Sequence, residues 1–405
     1  MLRSFRLGNH RSFRDEHELL LMPALPGDRR QAVPVAAIFG ANASGKSNLL
    51  DGLAMAKRLV AGPAVSRWGE AVEGAAKIQR PFRLDPRTKD EPSVFVTDLL
   101  ADGVPHTYGF VVKDDMIVEE WLYSYPEKRK RVLFERTGAT IKVGSSVTEL
   151  RTKIGLLEEL LRPDTLLLAE CDRLSMGPLM AAFQWFNLQL QVVDPGALDR
   201  VGPGFLEQWV GAYLLDESAR SDTFLSLLKA ADIGITDLVV GVVPDRPGSD
   251  GRRMKVNLVH GSQGEAFELD DESAGTRNWL GLLPPVLGAL ERGAVLVVDE
   301  LETSLHPALL ARLISLFRDE ATNKTGAQLI FTTHDTTLLG TMLGDEVLAR
   351  DEIWFVDKNA DGASELYPLS DFKPRKDQNT ERRYLAGAYG AVPVLGDFTS
   401  ALRRG

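Results

Sequence analysis

Residues 40–47 of this chain read Gly40-Ala41-Asn42-Ala43-Ser44-Gly45-Lys46-Ser47 and fit the spacing G-x-x-x-x-G-K-[ST]. The preceding residues 35–39 (VAAIF) are typical of a buried strand. After the loop, Leu49, Leu53 and Val60 recur at helical spacing. The stretch therefore predicts a glycine-rich loop between a strand and the first turn of a helix.

Such a loop suits the binding of phosphate. Gly40 and Gly45 give the backbone freedom and leave no side chain in the way of a phosphate. Loop N–H groups and the positive end of the helix would face the anion. Lys46 would reach the β/γ-phosphates, and the hydroxyl of Ser47 would bind Mg²⁺. The alternative is a structural turn with a solvated lysine, but the flanking strand and helix favour a nucleoside triphosphate site.

The predicted nucleotide contacts are the whole loop and the residue after it, namely Gly40, Ala41, Asn42, Ala43, Ser44, Gly45, Lys46, Ser47 and Asn48.

The chain has 405 residues, and 44% of them are hydrophobic. We therefore expect a large core and more than one lobe. The single cysteine, Cys171, excludes a disulfide framework and favours a buried position in a reducing compartment. No run approaches the roughly 20 apolar residues that cross a bilayer. The N-terminus does not resemble a secretion signal. We expect a soluble, cytoplasmic protein that makes no membrane contact.

The net charge of −10 argues against indiscriminate coating of nucleic acid, which needs a basic surface. Short basic clusters occur at residues 128–131, 252–253 and 382–383, each beside acidic residues. We interpret them as solvated faces. The charge leaves binding of nucleic acid open without supporting it.

The pattern along the chain divides it into three parts. Residues 1–145 hold the phosphate loop and a strand-rich stretch, in which residues 101–103 predict a hairpin turn. Residues 146–230 predict a mainly helical insertion, and residues 231–405 alternate between strand and helix patterns. The predicted fold class is α/β, with a mixed central sheet flanked by helices.

Two later strands end in chemically active side chains. Residues 295–298 (VLVV) lead into Asp299 and Glu300, as a buried parallel strand does when its carboxyl end opens onto a ligand. Asp299 would hold Mg²⁺, and Glu300 would orient and deprotonate the attacking water. Residues 328–333 lead into His334, which could hydrogen-bond the γ-phosphate. We predict Lys46, Glu300 and His334 as the catalytic residues.

Between the phosphate loop and the acidic strand, Glu272-Ser273-Ala274-Gly275-Thr276 precedes a helix and would form a second anion site, with Ser273, Gly275 and Thr276 as predicted nucleotide contacts. Read alone, the serine would be an ordinary helix cap.

The order of these motifs resembles that of ABC-type ATPases. The phosphate loop resembles Walker A, residues 272–276 resemble the signature, and the acidic strand resembles Walker B. The D-loop and the switch histidine would be Glu302-Thr303-Ser304-Leu305-His306-Pro307 and His334. The details resemble the SMC/RecF/OLD branch. More narrowly, the chain resembles bacterial AAA-family ATP-binding proteins of abortive infection and anti-phage defence. Residues 9–13 (NHRSF) and 384–390 (YLAGAYG) belong to that resemblance. Ala274 departs from the pattern, where glycine or aspartate is common.

The resemblance implies an ABC/SMC-like P-loop NTPase head that binds ATP and Mg²⁺, and two heads that sandwich two ATP molecules in a homodimer or larger assembly. Ser273 and Gly275 of one chain would then meet the γ-phosphate held by Lys46 of the other. A glutamine between the lobes would sense Mg²⁺. We predict that Gln79 is this glutamine. The alternative is that Gln79 is only an exposed loop residue.

For the function, we expect an ATPase that regulates a separate effector in anti-phage defence. OLD-type relatives carry a Toprim nuclease with a late Asp-x-Asp, and none follows His334. We therefore expect a separately encoded nuclease or Toprim protein. The alternative is a RecF-like or SMC-like DNA repair factor. A GTPase is disfavoured because no Asn-Lys-x-Asp motif occurs.

Overall fold

The computed structural model describes residues 1–24, 27–62, 77–193, 203–215, 218–231, 234–244, 252–343, 346–375 and 378–393. Parts of all three predicted divisions therefore lie outside the described residues. Within them, the strands form a seven-stranded, a six-stranded and a three-stranded sheet.

The six-stranded sheet is the central one, with the order β16-β15-β3-β14-β13-β9. Five of these strands run parallel, and β16 pairs antiparallel with β15 at the edge. Their bounds are β3 Val35–Phe39, β9 Leu190–Val193, β13 Val295–Val298, β14 Gln328–Thr333, β15 Ile353–Lys358 and β16 Ser364–Pro368. Strands β3, β13 and β14 are buried along their whole length, as parallel strands covered on both faces must be. The mixed sheet confirms the predicted fold class.

The seven-stranded sheet is antiparallel, with the order β2-β1-β4-β5-β6-β7-β8. Its strands are β1 Leu2–Gly8, β2 His17–Leu20, β4 Ser93–Ala101, β5 Val104–Lys113, β6 Met116–Ser124, β7 Arg131–Thr137 and β8 Thr140–Val143. The predicted hairpin joins β4 to β5, and both Asp102 and Gly103 have positive φ, as a tight hairpin turn requires. Helix α1 (Lys46–Ala61) packs in the same hydrophobic core as this sheet.

Most of the described residues between 146 and 230 are helical. It contains α2 (Arg151–Leu160), α3 (Met180–Gln184), α4 (Pro203–Leu215) and α5 (Ser218–Ala230). Cys171 is fully buried, as expected. The same stretch supplies β9 to the central sheet, which the prediction of an insertion did not include.

Within the described residues, the last part of the chain adds a small antiparallel sheet and three α-helices. The sheet order is β10-β11-β12, and the bounds are β10 Ile235–Pro244, β11 Arg252–His260 and β12 Glu265–Glu268. The helices are α6 Ala274–Arg292, α7 Pro307–Arg318 and α8 Thr380–Leu385. In the described ranges, no helix is both long enough and apolar enough to span a bilayer.

A buried carboxylate ties the antiparallel sheet to the chain that follows it. Glu120 on β6 is fully buried, and its carboxylate accepts hydrogen bonds from Tyr108 Oη (2.9 Å) and from the amides of Leu167 (2.7 Å) and Leu168 (3.0 Å). Arg136 Nη1 lies 3.6 Å from Glu120 Oε2. Burial raises the pKa of Glu120, and these amides and the guanidinium oppose that shift.

We expect Glu120→Ala to lower the free energy of unfolding by about 3–5 kcal/mol, because it leaves Arg136 buried without a counter-charge and two amides without acceptors. Urea unfolding followed by circular dichroism measures this. Glu119→Ala, at the exposed neighbouring position, is the matched control. Equal unfolding midpoints for the two variants would show that the buried carboxylate contributes nothing.

Candidate functional site

Three neighbouring parallel strands deliver the predicted motifs to one edge of the central sheet. Strand β14 lies between β3 and β13, with Thr333 opposite Phe39 and Phe331 opposite Val298. The phosphate loop follows β3, His334 follows β14, and Asp299 follows β13. Ligand sites form at the carboxyl ends of such strands, so the topology brings together what the sequence separates by more than 250 residues.

The loop at residues 40–45 has the backbone of a phosphate cradle. Gly40 (φ 159°) and Gly45 (φ 115°) are in the region that favours glycine, and Ala43 (φ 62°) shares it. A Cβ at Gly40 would collide with the carbonyl oxygen of Val356, and one at Gly45 would collide with the Oγ of Ser364. Both positions therefore require glycine, for backbone angle and for space.

The side chain of Lys46 is also held in one place. It begins α1, is 5% exposed, and its Nζ donates to the carbonyl oxygens of Gly40 (2.9 Å) and Ala41 (3.1 Å). Burial lowers the pKa of Lys46, while the negative charges of Asp299, Glu300 and Glu302 oppose this lowering. The acidic strand end thus lies within electrostatic reach of the loop lysine.

Serines brace the loop from the side of β16. Ser364 Oγ donates to the carbonyl oxygen of Ser44 (2.5 Å) and shares a hydrogen bond with Ser12 Oγ (2.7 Å). Asn48 Nδ2 donates to Ser12 Oγ (2.7 Å), so Asn48 supports the loop through residues 9–13. Ser12 and Ser364 were not predicted as site residues, because they are 352 residues apart and neither belongs to a phosphate-binding motif.

The acidic pair is held by a threonine that the sequence did not single out. Thr332 Oγ1 donates to Asp299 Oδ1 (2.5 Å) and accepts from the amide of Glu300 (2.7 Å). Glu300 has a left-handed backbone (φ 50°), so the strand ends abruptly and leaves the Glu300 side chain 57% exposed. The signal was a polar residue in a fully buried strand, a property that Thr332 shares with Gln328 and Thr333.

His334 lies beside the acidic pair. Its Nε2 is 3.8 Å from Glu300 Oε1, and its amide donates to Glu302 Oε1 (2.5 Å). The predicted catalytic residues Lys46, Glu300 and His334 therefore belong to one cluster, with His334 adjacent to Glu300 and Glu300 in the field of Lys46.

The residues present fit a magnesium–nucleotide. Ser44 Oγ is buried at the loop and makes no hydrogen bond within the described part of the chain. Ser47 is exposed in the first turn of α1, and Asp299 extends from β13. A hydroxyl and a carboxylate are oxygen ligands that Mg²⁺ accepts.

The signature-like segment lies against the D-loop-like segment rather than on the phosphate loop. Ser273 caps α6, accepting from the amide of Thr276 (3.1 Å). Asn278 Nδ2 donates to the carbonyl oxygen of Thr303 (3.2 Å). Ser273 and Ala274 are exposed, Gly275 is half-buried and Thr276 is mostly buried. Among the described residues, neither Ser273 nor Thr276 hydrogen-bonds residues 40–48 of the same chain.

Gln79 is placed apart from this cluster. It is 7% exposed, so the alternative of an exposed loop residue is wrong. Its Nε2 donates to the carbonyl oxygen of Glu91 (2.8 Å), and its Oε1 accepts from the amide of Asp114 (2.8 Å). Both ends of the amide therefore join loops of the antiparallel sheet, and its role toward Mg²⁺ stays a prediction.

Solved structures similar to this chain include the SMC head domain from Thermotoga maritima (14% identity, 91% of this chain and 98% of that chain, TM-score 0.43). A second is an SmcHead bound to the C-winged helix domain of ScpA (14% identity, 92% of this chain and 99% of that chain, TM-score 0.49). A third is an Smc head domain with an extended coiled coil bound to the C-terminal domain of ScpA derived from Pyrococcus furiosus (13% identity, 92% of this chain and 97% of that chain, TM-score 0.41). No curated protein matches the sequence.

The profile of one protein family matches residues 35–152 and 200–340, which include the phosphate loop, the signature-like segment, the acidic strand and His334. The match spans more than half of the 405 residues. The chain therefore belongs to the family of AAA domains described as putative AbiEii toxin of a type IV toxin–antitoxin system.

Proposed function

We propose that this protein binds and hydrolyses ATP with Mg²⁺ and closes into a head-to-head homodimer when ATP is bound. The observation that carries the proposal is the convergence of the glycine loop, the acidic pair and His334 at the carboxyl ends of β3, β13 and β14. Lys46 is buried in that cluster and within reach of its carboxylates, as a residue that offsets phosphate charge needs to be.

Each side chain has a defined task in this proposal. Lys46 and the loop amides hold the β/γ-phosphates. Ser47 and Asp299 would hold Mg²⁺, which neutralises charge that develops on the phosphates. Glu300 accepts a proton from the attacking water, and His334 orients the water and the γ-phosphate. The left-handed turn at Glu300 serves this task because it leaves the carboxylate exposed beside His334.

The dimer is proposed from the position of the signature-like segment. Ser273 is exposed at the N-terminus of the 19-residue α6, where backbone N–H groups and the helix dipole favour an anion. Its contacts are with its own helix, and the helix is anchored at Thr303. A symmetric pairing of two chains would place Ser273 of each on the nucleotide of the other.

Complementation between two inactive variants tests this arrangement. Ser273→Arg should retain ATP binding and lose hydrolysis, because a bulky side chain blocks the second half of the site. Lys46→Ala should lose binding. Mixed in equal amounts, the two should recover up to about a quarter of the wild-type rate, since half of the dimers carry one intact composite site.

Ser273→Asn, which keeps the helix cap, is the control for folding. No recovered activity in the mixture would mean that each site is completed within one chain.

We also propose that ATP-driven closure controls a separate effector, such as a nuclease or Toprim protein, in anti-phage defence. The family description, which names a toxin of a toxin–antitoxin system, supports a role of this kind. Assays of DNA binding and cleavage by the purified protein distinguish an ATPase that controls a separate effector from a DNA repair factor. Steeply salt-dependent, ATP-stimulated DNA binding would favour the repair-factor alternative instead.

A further inference from the structure

Glu302 is a carboxylate that the proposed chemistry does not use. Its Oε1 accepts the His334 amide at 2.5 Å, and its Oε2 is buried without a hydrogen-bond partner among the described residues. His334 is the first residue after β14, where the ladder to neighbouring strands has ended. The side chain of Glu302 thus supplies the acceptor that the sheet no longer provides.

The segment that carries Glu302 is itself held in one conformation. The amide and the hydroxyl of Thr303 both donate to the carbonyl oxygen of Glu300 (3.0 and 2.8 Å), and the amide of Leu305 donates to the carbonyl oxygen of Glu302 (2.9 Å). Leu301 donates to the carbonyl oxygen of Thr332 (3.2 Å). Glu302 therefore approaches the end of β14 from a turn that is pinned at both ends.

Residues 300–302 therefore contact His334 at two points, its ring and its backbone. Glu300 lies 3.8 Å from its ring, and Glu302 bonds its backbone. A hydrogen bond to an ionised acceptor is about twice as strong as a neutral one, so the backbone contact is the firmer of the two.

We propose that Glu302 is a positioning residue that fixes the backbone of His334, and through it the place of the imidazole beside Glu300. This inference rests on the proposed ATPase activity, which it deepens. The competing explanation is that Glu302 only adds negative charge near Lys46. The two explanations predict different effects of Glu302→Gln, because the amide oxygen of glutamine still accepts the His334 N–H but carries no charge.

The test compares Glu302→Gln, Glu302→Ala, His334→Ala and the double variant Glu302→Ala/His334→Ala in steady-state ATP hydrolysis. Glu302→Ala should lower kcat roughly 10- to 100-fold while KM stays within about threefold, as expected when a catalytic group is misplaced. Glu302→Gln should keep most of the activity. The double variant should be no slower than the slower single variant, because both changes disable one unit.

Amide hydrogen exchange in peptides spanning residues 330–337 gives a readout independent of activity. Exchange should accelerate in Glu302→Ala and stay at the wild-type rate in Glu302→Gln and in the exposed control Glu320→Ala. Equal loss of activity in Glu302→Gln and Glu302→Ala, or wild-type exchange in Glu302→Ala, would overturn the inference. If the wild type hydrolyses no ATP, the proposed function fails, and exchange alone decides the role of Glu302.

Discussion

Replacing Lys46 with alanine is expected to abolish ATP binding and to reduce hydrolysis at least about 100-fold, the scale of losing one preorganised charge-stabilising group. The reason is specific to this position. The Lys46 ammonium is nearly buried at the loop that would cradle the phosphates, and the negative charges of nearby carboxylates act on its pKa. Without it, the phosphates of ATP would enter a site whose remaining charges, at Asp299, Glu300 and Glu302, repel them.

Isothermal titration calorimetry with a non-hydrolysable ATP analogue measures the loss of binding. Lys324→Ala removes an exposed lysine and is the matched control for net charge. Analogue affinity within a few-fold of the wild type in the Lys46 variant would place the nucleotide somewhere other than the glycine loop.

Replacing Glu300 with glutamine is expected to leave binding intact and to slow hydrolysis roughly 10²- to 10⁴-fold, because the amide cannot accept a proton from water. The folded structure should change little, since the Glu300 side chain is more than half exposed. The hydrogen bonds that hold this residue involve its backbone: its amide donates to Thr332 Oγ1, and its carbonyl oxygen accepts from Thr303. ATP should therefore persist at the site, and closed dimers should accumulate.

Light scattering coupled to size-exclusion chromatography, with and without ATP, measures that accumulation. Glu320→Gln, at an exposed position, controls for the loss of one charge. An unchanged mass for Glu300→Gln in the presence of ATP would contradict the sandwich dimer while leaving the ATPase site in place.

Much of this site could be predicted because its parts are local. The spacing of Gly40, Gly45 and Lys46 requires a short loop between a strand and a helix, and the structure has both. The runs before Asp299 and His334 are fully buried parallel strands, as the uninterrupted apolar sequence of residues 295–298 indicated for the first of them. The ends of these strands lie at one edge because β3, β14 and β13 pair in parallel.

Other features could not be predicted because they depend on contacts between distant segments. Strand β9 has only four residues within a mostly helical stretch, and its pairing with β13 makes it a strand. Gln79 has the residue type of a Mg²⁺ sensor, but the backbone groups at Glu91 and Asp114 occupy its amide.

The sequence by itself determined the phosphate loop, the acidic strand end and the α/β class, because each depends on hydrogen bonding and burial within a few consecutive residues. Only the tertiary structure decided that Thr332 holds Asp299, that Ser364 braces Ser44, and that Glu302 holds the backbone of His334. Those bonds join residues 33, 320 and 32 positions apart. A polar side chain gives no sign of its partner until the sheet brings the two within hydrogen-bond distance.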